Sequence, residues 1–287
     1  MKSNEKILSD LSGKANSIMR NSLNFCSPLY KEKSNIPYNV QFTFIQLFSS
    51  CYLSSESALI LIANYRLWDT EIIYRSILEG TIKLFYLSYG SSEEIVNKSD
   101  EYWVKIPEYK RILRHYKATN LLEKINDKSL KYEPIRELLL SDEELNSLTE
   151  RYPRKYRKEL EKKWSFGEMV QELSNSKIEG FDTLIAAYYG YSLSSHLIHQ
   201  DGDGIGLIWD RNNRDTARRT SLELAHGARL ISDVLSLNML RTRLYFQFYG
   251  IGTVSMQELS NTYEAIQKEI GEYYNKWLEI EFESISK

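Results

Sequence analysis

Two short stretches carry polar side chains at helical spacing inside apolar surroundings. The first is Tyr74-Arg75-Ser76-Ile77-Leu78-Glu79, and the second runs from Tyr191 through Ser195 to His199. Arg75 and Glu79 stand one helical turn apart, as do Tyr191, Ser195 and His199, so each set forms a stripe along one helix face. An arginine, two hydroxyls and a histidine on facing helices can bind a phosphate-like anion. With the histidine as general acid/base, the arginine stabilising developing charge and Glu79 orienting one of them, the same set can cleave a phosphodiester. Tyr191 and Ser195 would position the phosphate, and His199, in the last turn, gains from the helix dipole when protonated. The bland alternative is a buried hydrogen-bond network that sets helix register.

Other constellations are weaker. Between Arg151 and Lys163 seven basic residues meet two acidic ones, with Tyr152 and Tyr156 interleaved. Arg154 and Arg157 are the candidate phosphate contacts there, although such runs usually mark solvated faces. Arg219 and His226 lie two turns apart on one helix and make an alternative site. His196 and His199 with Asp201 or Asp203 form too incomplete a set to predict a metal. No motif calls for a cofactor.

These residues need long helices to hold them. The chain has 287 residues with only 13 Gly and 5 Pro, and apolar positions recur at helical spacing, which predicts an all-α multi-helix bundle. Helices are expected over residues 39–63, from Asp69 as N-cap to about Tyr89, from Ser165 through Leu173, and from about Phe181, capped by Asp182, to Gln200. Two longer ones follow, over about 216–245 and 255–281. Residues 91–163 are more polar and read as an insertion of two or three helices within a single domain spanning 1–287. The last helix presents Tyr263, Ile266, Ile270, Tyr273, Tyr274 and Trp277, a face that suits either the core or a homodimer.

Composition narrows the function classes. Hydrophobic residues make up 42% and charged residues 26%, which argues against general disorder. A net charge of −2 excludes a globally basic nucleic-acid binder, so any basic surface is local. Cys26 and Cys51 have neither disulfide-framework nor zinc spacing. The N-terminus lacks an apolar leader, and the run Ala58–Ala63 is far too short to span a bilayer, so the expectation is a cytoplasmic protein with no membrane partner.

The residues from Trp68 to Leu87, with Arg75 and Glu79, then Trp164 before Glu168, then Tyr191, Ser195 and His199, are similar to the motifs of a bacterial family of unknown function. That family resembles, more distantly, the HEPN and abortive-infection helical proteins. The resemblance implies a HEPN-like all-α core and a metal-independent ribonuclease-like effector in phage defence or a toxin–antitoxin system. RNA would be its substrate and an antitoxin or defence component its partner. The strict arginine-x4-histidine motif of HEPN ribonucleases is missing here. The alternative is a non-enzymatic sensor of a nucleotide or small anion, or a protein-interaction module.

Overall fold

The computed structural model describes residues 3–31, 35–176, 185–252 and 254–282, and among these every regular element is helical. The order is α1 (Asn4–Phe25), α2 (Tyr38–Ala63), α3 (Leu67–Ser88), α4 (Ser92–Asp100), a π-helical turn (Glu101–Lys105) and α5 (Ile106–Ile125). A 3-10 turn (Leu130–Tyr132) leads to α6 (Glu133–Arg136), α7 (Asp142–Arg151), α8 (Arg154–Lys163), α9 (Phe166–Asn175) and α10 (Ile185–His199). The chain closes with α11 (Gly202–Asn213), α12 (Thr216–Phe248) and α13 (Val254–Phe282).

The core is built where α1, α2, α3, α12 and α13 meet. Leu8, Leu11, Phe44, Ile62, Ile77, Ile82, Leu230, Ile231 and Tyr245 are almost completely buried there. Helices α2 and α3 pack closely because Gly80 lacks a side chain: a Cβ there would stand 2.5 Å from Cys51 Sγ. One charged residue crosses this interface. Arg241 of α12, 0% exposed, donates to Thr81 Oγ1 of α3 at 2.8 Å and to Ser55 Oγ of α2 at 2.9 Å. Both hydroxyls pass the chain on to backbone carbonyls of their own helices. By length and composition alone α2 could cross a membrane. The count from Ala58–Ala63 overlooked the apolar residues before it; in the fold, Phe44, Phe48, Leu59 and Ile62 of α2 are core residues.

Residues 91–163 hold more helix than their polarity suggested, because their short elements are capped locally. Ser91 with Glu94 and Ser141 with Glu144 form reciprocal capping boxes that open α4 and α7. This segment is tied to the core at α4, where Thr43 and Ser99 share a hydrogen bond of 2.7 Å. Trp164 adds a second tie, donating to Glu101 Oε2 at 3.0 Å and packing its ring edge-on to Tyr86.

Several boundaries moved. Arg66, not Asp69, is the N-cap of α3, and Asp69 lies in the first turn. Asp182 and Phe181 fall outside the described residues. Asp201 does more than end α10: its side chain caps α11 by accepting from Gly204 N at 3.0 Å. Gly204 is needed there, because a Cβ would come within 2.5 Å of the His196 carbonyl. Much of the apolar face of α13 is turned on its own chain, with Ile266 and Ile270 buried and Tyr263 Oη bonded to Ser236 Oγ at 2.7 Å, while Tyr274 is exposed.

Candidate functional site

Helices α3 and α10 lie against each other and bring the two polar stripes together. Arg75 Nη2 donates to Tyr191 Oη at 2.7 Å, and Nη1 donates to Ser195 Oγ at 3.1 Å. The guanidinium also sits 4.2 Å from the Tyr191 ring centre, a cation–π contact. Behind that ring, Phe166 of α9 stacks at 3.9 Å with an interplanar angle of 6°. Arg75 is thus half-buried, fixed by two neutral hydroxyls and a ring. No carboxylate lies within ion-pair distance of it among the described residues.

The remaining predicted residues do not join this cluster through any contact described. Glu79 pairs with Lys83, one turn on, at 2.6 Å, and both line a separate groove between α2 and α3. His199 is exposed in the last turn of α10, one turn beyond Ser195 on the same face. On α8, Arg154 is exposed and Arg157 is partly buried. The tyrosines beside them are spent internally: Tyr152 is buried and donates to Glu108 Oε2 at 2.5 Å, and Tyr156 packs on the core. His196 bonds Asp201 at 2.8 Å, which raises its pKa, and no metal-ligand cluster occurs among the described residues.

One turn before Arg75 a second set appears. Glu71, 2% exposed, accepts from Ser194 Oγ at 3.1 Å, from His226 Nε2 at 2.7 Å and from Arg229 of α12. The other ring nitrogen of His226 faces Arg211 Nη1 at 2.8 Å. An arginine can only donate, so Nδ1 accepts, and the network assigns His226 as the neutral Nε2–H tautomer. Arg211 in turn lies 4.0 Å over the Trp68 ring, and Arg229 reaches Asp233 at 2.8 Å. Glu71 and Ser194 therefore seat α10 on α3 immediately beside the Arg75 cluster.

The charges in this network follow from its burial. Desolvation opposes ionisation of Glu71, but the hydrogen bond from His226, the charge of Arg229 and the Ser194 hydroxyl outweigh it and hold the carboxyl below its usual range. Burial pushes His226 down, against the pull of Glu71. Burial also lowers Arg211 to about 10. His226 has both nitrogens occupied and almost no exposure, and Arg219 makes no side-chain contact with it, so the Arg219–His226 pair offers no open site.

Sequence reading missed Glu71, Arg211 and Arg229. Glu71 had a signal, since it continues the one-turn spacing of Arg75 and Glu79. Arg211 had none, because its partner lies across a helix boundary.

The matched segment settles the family. The chain belongs to DUF5677, a family of unknown function, whose model matches residues 41–216. No curated protein and no solved structure matches the chain. The DUF5677 segment runs from α2 to the start of α12 and contains Glu71, Arg75, Tyr191, Ser194, Ser195 and Arg211. It stops short of His226 and Arg229, which complete the buried network from outside it.

Proposed function

We propose that this protein binds a phosphate-bearing small anion, such as a nucleotide, at Arg75, with Tyr191 and Ser195 orienting the guanidinium. The observation that carries the reading is the company Arg75 keeps. Among the described residues, two of its five N–H groups are spent on neutral oxygens, the other three have no partner, and no carboxylate neutralises it. An arginine held this way retains its charge and its fork geometry for an incoming anion. Tyr191 and Ser195 accept from Arg75 and so keep their own O–H protons to donate to the same ligand.

Titration with ATP and with inorganic phosphate tests the reading. The wild type should bind, and Arg75→Ala should lose most of the affinity while keeping its fold. Equal binding by both proteins would remove Arg75 from any site.

A second reading is favoured by the position of His199, exposed on the Ser195 face. A longer substrate such as RNA, held at Arg75, would then meet a histidine able to act as general acid/base, as in a ribonuclease-like effector of phage defence or a toxin–antitoxin system. Glu79, paired with Lys83, has no part in this version, and Arg154 on α8 would guide the strand. RNA cleavage by the wild type that disappears in His199→Ala supports this reading; intact RNA alongside nucleotide binding supports the sensor.

A further inference from the structure

Serine and threonine within helices often turn the hydroxyl back to the carbonyl one turn earlier. On α2 and α3, Ser55, Ser57, Thr70, Thr81 and Ser88 do so. Ser50, Ser54 and Ser76 have no such bond among the described residues, and all three line one groove of 220 Å³ between these helices. Glu79, Lys83 and Tyr102 complete its polar wall. Lys83 occupies Oε1 of Glu79 at 2.6 Å, and the second carboxylate oxygen has no partner among the described residues.

We propose that this groove binds a polyhydroxylated ring of monosaccharide size, either a free sugar or the ribose of a nucleoside. Ordinary ligand pockets are larger, about 300–1,000 Å³, and mainly apolar. This one is smaller and offers groups that both donate and accept, which is what adjacent ring hydroxyls require. The Glu79–Lys83 pair cancels its own charge, so the groove selects a neutral ligand over an anion. Glu79 can accept from a sugar hydroxyl through its open oxygen, a charge-assisted bond. Gly80 and Cys51 also line the groove, and a Cβ on Gly80 would stand 2.5 Å from Cys51 Sγ, so the two helices are closely packed there. This groove takes nothing from the Arg75 cluster, and the proposal does not depend on it.

Saturation-transfer NMR on the full chain with D-ribose, D-glucose and adenosine tests the idea. The wild type should transfer to ring protons of at least one probe. Glu79→Gln should weaken that binding about tenfold or more. Ser76→Trp, which fills the groove from an exposed position without touching the core, should abolish it, and Arg75→Ala should leave it unchanged. Transfer to adenosine alone identifies a nucleoside ribose, whereas transfer to a free sugar identifies a monosaccharide. No transfer to any probe, or transfer that survives Ser76→Trp, overturns the proposal.

Discussion

Ser194 of α10 donates to the buried carboxylate of Glu71 on α3, and the next residue, Ser195, accepts from Arg75 one turn further along the same helix. The seat of α10 and the geometry of the Arg75 cluster are therefore coupled through adjacent residues. Ser194→Ala should relax that seat with little loss of packing, lowering anion affinity at Arg75 more than it lowers Tm. Nucleotide titration beside a melting curve checks this, and unchanged affinity would uncouple the two.

Glu71 answers for three polar partners at once. Glu71→Ala leaves His226 Nε2 without its acceptor and Arg229 with Asp233 alone, and should cost about 3–5 kcal/mol. Glu71→Gln, which keeps one acceptor oxygen, should cost less. Denaturant unfolding measures both, and equal small losses would mean that the network is not holding the helices.

The same network sets a pH dependence. His226 is depressed in the folded state, so unfolding takes up a proton once the pH drops below the ordinary histidine value of about 6.5. Stability is lost as the pH falls from there toward the folded pKa. Glu71, also depressed, adds a loss at lower pH, below the ordinary glutamate value. Asp233, raised by burial, works in the opposite sense as the pH falls through its folded value. Replacing His226 with Gln removes only the first of these, so the fall in Tm between about pH 6.5 and 5 should be shallower in the variant. Parallel Tm–pH curves would show that His226 is not the group responsible.

Arg241 is a buried cation whose partners are hydroxyls, and its Nε has no hydrogen-bond partner among the described residues. Burial lowers its pKa to about 10. Arg241→Ala should lose about 2–4 kcal/mol through the cavity left behind. Arg241→Met fills much of that space and removes the desolvated charge, so it should be more stable than the alanine variant and near the wild type. Chemical denaturation of the three proteins decides the order.

Gly80 and Cys51 form a steric pair. Gly80→Ala should cost about 1–3 kcal/mol by forcing a Cβ against the thiol. Adding Cys51→Ala should recover part of it, a coupling that a double-mutant cycle reads directly.

Much of the fold was legible because it depends on local rules. The spacing of apolar residues marked α2, α3, α12 and α13. Helix α11 went unread because Asp201-Gly202-Asp203-Gly204 looks like a stop; it is a start only because Gly204 lets a new helix begin against the end of α10. The meeting of Arg75 with Tyr191 and Ser195 was foreshadowed by matched one-turn spacing on two helices. Whether the two stripes face each other is a matter of helix rotation, which local sequence does not encode.

The chain by itself determined that there would be long helices, where most of them run, and which polar residues share a face. Those properties come from backbone periodicity and neighbouring side chains. Only the tertiary structure decided that Arg75 is held by hydroxyls, that Glu79 belongs to a different groove, and that Glu71, His226, Arg211 and Arg229 close into one buried network. Hydrogen bonds between residues more than a hundred positions apart depend on how four helices pack, and desolvation, which sets the charge of each group, exists only once they have packed.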